Sequence, residues 1–221
     1  MHTRFARAVA LIGLGVGPLT LIIANIVQWL MQPTGSDTTP VAVAQQFPTT
    51  WLLIGMLSVF GPVVWLAGLA PVADLAIGRG GLATRIGALI TGLGLAAGIG
   101  HLAAFFGVYG TIANAHLSVD MKEAASSAAD GEPLGTILLV TFLVCYSLGP
   151  IILTVGLRAA HRVPVWVPIA AIVTAGANLF GGPIAGVVQL ITLAAAWGAV
   201  FVAVARSPLH TTARPAAVVA R

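Results

Sequence analysis

His101 is the only Asp, Glu, His, Lys or Arg side chain within the long apolar runs of this sequence. An ionisable group inside a membrane is costly to bury, which makes it the first candidate for ligand binding or proton chemistry. It stands in R-I-G-A-L-I-T-G-L-G-L-A-A-G-I-G-H-L-A-A-F-F-G-V-Y, residues 85–109, where Arg85 is the one other charged position. On a helix, Gly87, Thr91, Gly94, Gly98 and His101 follow one another at spacings of four, three, four and three, so they share a face. Gly94 and Gly98 form G-x-x-x-G, which in lipid lets a second helix approach closely. This face is the expected seam for the other helices.

Counting ~1.5 Å per residue from Ile86 puts His101 ~22 Å above the cytoplasmic edge, in the outer third. By the same count Asn178, Gln189, Ser58 and Asn25 fall in the outer half, and Tyr146 lies nearer the midplane. These residues predict an outward-opening polar pocket lined by His101, Asn178 and Gln189. The plainer reading, which the residue types favour, is a set of interhelical hydrogen bonds worth ~0.6 kcal/mol each.

Other chemistries fit less well. A bis-histidine haem needs two histidines at matched depth, but His2, His161 and His210 lie at one membrane face and His116 in a loop on the other. His116, Asp120 and Glu123 fall at i, i+4 and i+7 on one face of the alanine-rich helix expected after Asn114, a spacing that could hold a metal, though solvated helices often show such triplets. Ser147 and Cys145 have no acid and base nearby within the apolar runs, and the glycine-rich stretch before Arg85 lacks the Gly-Lys-Ser/Thr of a phosphate loop. No Asp, Glu, Lys or Arg stands near a midplane, which argues against a proton-coupled pump. No cofactor is expected.

The elements that position these residues follow from composition. The chain has 221 residues, 58% hydrophobic and 7% charged, with mean hydropathy +1.02, too little polar surface for an ordinary soluble domain. A hydrocarbon core of ~30 Å needs ~20 apolar residues per helical span. Six runs qualify or nearly do: Ala8 to Leu30, Trp51 to Val72, Ile86 to Tyr109, Leu134 to Leu157, a short one from Val165, and Ile184 to Ala205. The first is too long for a signal sequence and lacks its cleavage pattern. The fold class is therefore all-α, a bundle of six transmembrane helices forming one domain over 1–205, with a polar, disordered tail over 206–221. Thr39 and Pro40 are placed to start a short helix, and Asn114 to cap an alanine-rich one ending at Asp130-Gly131.

Nine of the ten Lys and Arg residues lie before span one, between two and three, between four and five, and after six; Lys122 alone is opposite, with Asp37, Asp120, Glu123, Asp130 and Glu132. The positive-inside rule then puts both termini in the cytoplasm. The formal charge of +4 does not indicate nucleic acid, because the basic residues are scattered at helix ends. The expected partners are the bilayer and a membrane-protein partner or a second copy.

A weak internal repeat is also visible. Gly61-Pro62 is followed by Gly68-Leu69, and Gly149-Pro150 at the same interval by Gly156-Leu157; the next runs open I-G-A-L-I-T-G at Ile86 and I-A-A-I-V-T-A at Ile169. Read as a parallel repeat of the span 2–3 and span 4–5 hairpins, it makes spans two to five a four-helix core with one and six outside. Each Gly-Pro is expected to kink its helix.

L-A-P-V at Leu69 to Val72, R-V-P-V-W-V-P at Arg162 to Pro168, the order of spans and the length resemble an uncharacterised family of bacterial integral membrane proteins, the domain of unknown function 4386 type. The resemblance covers residues 7 to 205 and implies six helices in a bacterial cytoplasmic membrane, with no catalytic residue to carry over. The expected function is non-enzymatic, either helix-mediated association or binding of a small ligand in the outward pocket. The alternatives are a permease-like facilitator for a neutral solute, and a membrane enzyme or haem protein using His101.

Overall fold

The computed structural model describes residues 4–31, 38–180 and 182–207. Among these the chain is all-helical: α1 (Arg4–Met31), α2 (Pro40–Gln46), α3 (Pro48–Ala73), α4 (Gly81–Asn114), α5 (Val119–Asp130), α6 (Pro133–Ala159), α7 (Trp166–Phe180) and α8 (Gly182–Arg206). Five of them, α1, α3, α4, α6 and α8, are long and apolar enough to cross a membrane, so this is a multi-pass membrane protein. α7 is apolar but has only 15 residues. The segment around Asp37 and the tail from 208 lie outside the described residues.

Local chemistry sets the helix ends. Thr39 caps α2, its side chain accepting from the Ala42 amide, and Pro40 takes the first helical position. α5 is capped by Ser118, not Asn114: Asn114 is the last residue of α4 and donates to the Gly110 carbonyl. α5 ends at Asp130 with Gly131 beyond it. Glu132 caps α6 and Pro133 opens it. α6 closes in a Schellman motif, the His161 amide bonding the Arg158 carbonyl and the Arg162 amide the Leu157 carbonyl.

The six long or apolar helices form a closed ring in chain order, α1 on α3, α3 on α4, α4 on α6, α6 on α7, α7 on α8 and α8 back on α1. The ring differs from a four-helix core with outer helices: α1 packs along α3 and α8 as a full member. Packing is densest within the hairpins α1–α3 and α4–α6. The reason is a pair of glycine seams.

In the second hairpin Thr84 sits against Gly156, Leu153 against Gly87, Thr91 against Gly149, Tyr146 against Gly94 and Phe142 against Gly98. A side chain on any of these glycines would overlap the facing helix. Thr84 and Thr91 are fully buried, and their hydroxyls donate to the Gly80 and Gly87 carbonyls, so no polar group is left bare. In the first hairpin Gly13 meets Gly68, Gly17 meets Trp65 and Thr20 meets Gly61.

The ring axis is filled by aromatics from three helices. Trp65 and Trp197 meet edge to face at 4.8 Å between centroids, and Tyr146 meets Trp65 edge to face at 6.0 Å. Leu14, Leu95, Leu153 and Leu193 complete this core.

Candidate functional site

His101 and Asn178 line two separate concavities. The first lies at the end of the bundle that carries α5. The C-terminal end of α4 is clamped there from two sides: Gln45 of α2 and Lys122 of α5 both donate to the Ala113 carbonyl, at 3.2 and 2.9 Å, a cation placed where the helix dipole is negative. Trp51 donates to the Phe106 carbonyl at 2.9 Å and packs edge to face on its ring. This wedge fixes the face of α4 that bears His101, Phe105 and Tyr109.

That face, α6 and the end of α5 enclose a cavity of about 450 Å³, lined among others by His101, Phe105, Tyr109, Asp130, Glu132 and Thr136. Gly135 organises it from both sides of its peptide unit. Its amide donates to Glu132 Oε2 at 2.6 Å, and its carbonyl lies 3.3 Å from His101 Nδ1. A carbonyl only accepts, so the neutral histidine carries its proton on Nδ1 and keeps Nε2 as an acceptor. The Tyr109 hydroxyl donates to Asp130 Oδ1, tying α4 to the end of α5. Below this polar rim the wall is apolar, with Ala104, Val108 and Leu139. Among the described residues this end carries four carboxylates against Lys122 alone. The cavity suits a small molecule with an apolar body and a cationic or hydrogen-bond-donating end, and its size lies in the ordinary range for such sites.

The second concavity is internal. Tyr146, Ser147 and Thr154 of α6, Thr174 and Asn178 of α7 and Trp197 of α8 surround a cavity of about 20 Å³, space for one water. Three polar atoms in this region, Ser147 Oγ, Asn178 Nδ2 and Trp65 Nε1, are buried with no hydrogen-bond partner among the described residues. Ser147 and Asn178 line the cavity, and Trp65 packs on two of its walls, Tyr146 and Trp197. Pro150, also in the lining, lacks the amide that would normally bond the Tyr146 carbonyl. Groups left unpaired in a membrane interior are costly, so their clustering here marks a polar site.

The expected outward pocket of His101, Asn178 and Gln189 is therefore not one pocket. His101 belongs to the α4–α6 groove, whereas Gln189 donates to Asn178 Oδ1 at 3.1 Å within the α7–α8 hairpin, beside a Thr174–Thr192 bond of 2.8 Å. The ring order separates the two pairs. Asn25 donates to the Leu21 carbonyl of its own helix, Ser58 is buried on α3 and lines neither cavity, and Tyr146 lines the inner one. Gly87, Thr91, Gly94 and Gly98 all lie in the α4–α6 seam.

The metal triplet is corrected. His116 lies before α5, in the link that ends at the Ser118 cap, so it does not share a helix face with Asp120 and Glu123. Among the described residues no group of three His, Cys, Asp or Glu could hold a metal ion.

A groove of about 830 Å³ between α3 and α4 is an open, largely apolar surface lined among others by Trp51, Gly55, Phe106 and Gly110. Lipid tails, as apolar as leucine, can satisfy such a surface. Comparison of the chain with family models, with curated proteins and with solved structures finds no match.

Proposed function

We propose that this protein is a non-enzymatic membrane protein that binds a small, cationic or donor-bearing ligand in the α4–α6 pocket, and that the pocket faces outward. The observation that carries this reading is the convergence of His101, Tyr109, Asp130 and Glu132 from three elements on one cavity of about 450 Å³. Catalysis is disfavoured because Asp130 and Glu132 are each held by a donor. Association through the glycine face is disfavoured as well, because Gly94 and Gly98 are taken up by α6 of the same chain.

The reading includes six crossings, with α7 as the fifth. Arg162, which precedes α7, and Arg206, which ends α8, line one groove, which supports α7 and α8 as an out-and-back pair. Arg4, Arg7, Arg79, Arg85, Arg158, Arg162 and Arg206 then mark the cytoplasmic side of a bacterial membrane, with both termini inside. Membership of the resembled bacterial family rests on L-A-P-V and R-V-P-V-W-V-P. The internal repeat is better drawn one helix earlier than the sequence suggests. Thr20 meets Gly61 and Gly13 meets Gly68 in one hairpin, as Thr91 meets Gly149 and Thr84 meets Gly156 in the other, which supports α1–α3 and α4–α6 as the repeated units.

A second reading is favoured by the inner cavity. Unpaired Ser147 and Asn178 groups along the α6–α7 contact are what a facilitator for a small neutral solute would need.

Thiol labelling in intact cells tests the first reading. In a Cys145→Ala background, cysteines at Ala104 and Val108, both in the pocket wall, should react with a membrane-impermeant maleimide, since only a hydrated thiol ionises and attacks. Labelling only after the cells are opened would mean that the pocket faces the cytoplasm.

A further inference from the structure

At the end of the bundle opposite α5, the start of α7 and the end of α8 leave a groove of about 500 Å³, lined among others by Arg162, Trp166, Gly198, Val202, Arg206 and Ser207. Its two ends differ in chemistry. Arg162 and Arg206 stand at the mouth, both exposed, and neither is paired with a carboxylate among the described residues. The one carboxylate at this end of the described chain, Asp74, lies 3.8 Å from Arg85. The wall that runs up α8 is apolar, and nothing lies within 4 Å of where a Gly198 side chain would be, so that wall is open. Trp166 is half exposed beside it, at the depth where tryptophan meets headgroups.

The backbone holds this arrangement at some strain. His161 takes the left-handed position of the Schellman motif, φ 56°, where glycine is the usual residue, and its Nδ1 lies 3.2 Å from Arg158 Nη1. The motif turns the chain from the end of α6 toward Arg162 and the start of α7.

We propose that this groove is a binding site for an anionic phospholipid of the leaflet on the arginine-bearing side. The phosphate sits between Arg162 and Arg206, and one acyl chain lies along α8 over Gly198. A free anion would use the arginines but not the apolar wall; a neutral lipid would use the wall but not the arginines. Two uncompensated arginines near a membrane surface give a preference for an anionic headgroup on the order of tenfold.

The test is lipid competition on the full-length protein. Purified protein is given equimolar phosphatidylglycerol and phosphatidylcholine of matched chains, and the lipids retained are counted by native mass spectrometry. The expected result is enrichment of phosphatidylglycerol on the order of tenfold in wild type and in Arg79→Gln, whose arginine is at the same end but outside the groove, with loss of enrichment in Arg162→Gln/Arg206→Gln. Equal retention of the two lipids by wild type, or undiminished enrichment in the double variant, overturns the proposal. Should the double variant not fold, Gly198→Leu decides the matter, because it leaves both arginines in place and has room for its side chain: retained phosphatidylglycerol should fall, and unchanged retention counts against the site. Inorganic phosphate alone should not raise the thermal midpoint. If it does so as well as phosphatidylglycerol, the site is for a free anion and not a lipid.

Discussion

His101 Nδ1 and the Gly135 carbonyl oxygen stand 3.3 Å apart across α4 and α6, and the amide of the same glycine holds Glu132. One peptide unit thus sets the position of the histidine and of a pocket carboxylate. Replacing the ring should cost the bond and part of the α4–α6 packing. His101→Ala is expected to lower unfolding stability by about 1 kcal/mol, and His101→Gln, which keeps a donor, to recover most of it. Detergent-solubilised thermal unfolding measures both, and equal stability of all three would mean that this contact is not formed. Absorption spectra of the same samples should show no visible band.

Tyr109 and Asp130 join the buried face of α4 to the end of a helix with no buried residue of its own. α5 is otherwise held through Lys122 and a partly buried Ala125. Tyr109→Phe should therefore loosen α5 with little global effect, about 1 kcal/mol locally because the carboxylate is exposed. Hydrogen exchange should speed up across residues 119–130 and stay unchanged in α6. Uniform acceleration throughout the chain would instead indicate loss of the whole bundle.

Glycines in the seams and glycines on the outside should behave oppositely. A methyl on Gly149 would overlap the backbone of Thr91, whereas nothing lies within 4 Å of one on Gly107. Gly149→Ala is expected to destabilise by about 1 to 3 kcal/mol, and Gly107→Ala to be neutral or stabilising by up to about 1 kcal/mol through helix propensity. Unfolding in graded denaturing detergent orders the two variants; a Gly149→Ala protein as stable as wild type would refute the seam.

The inner cavity makes a prediction of sign. A truly unpaired Ser147 hydroxyl would be a liability, and Ser147→Ala would stabilise the protein by about 1 to 3 kcal/mol. A water bridging Ser147 and Asn178, for which the cavity has room, reverses the sign. We expect a loss of about 1 kcal/mol in thermal unfolding.

The long helices were legible in the sequence because each is an apolar run bounded by turn residues, and the α4–α6 seam because its small residues recur at helical spacing. The α1–α3 seam was equally readable, since Gly13 and Gly17 form G-x-x-x-G with Thr20 one turn on, but it was masked by the more polar look of residues 85–109. The pocket was not readable. Tyr109 and Asp130 are 21 positions apart, and Gly135 engages His101 and Glu132 through backbone atoms that carry no sequence signature. Depth along the membrane placed His101, Asn178 and Gln189 at one level. Only the ring order shows that equal depth did not mean contact, because α6 stands between α4 and the α7–α8 hairpin.

The most direct test of the account is a ligand screen read by thermal shift on wild type beside Ala104→Trp, which fills the α4–α6 pocket from its apolar wall. A ligand at a hundred times its Kd adds about 2.7 kcal/mol, which for a chain of this size is a rise of ~5 to 10 °C. We predict that small amphiphilic amines give such a rise in wild type and none in Ala104→Trp. A rise of equal size in both proteins would place the ligand elsewhere and contradict the assignment of this pocket.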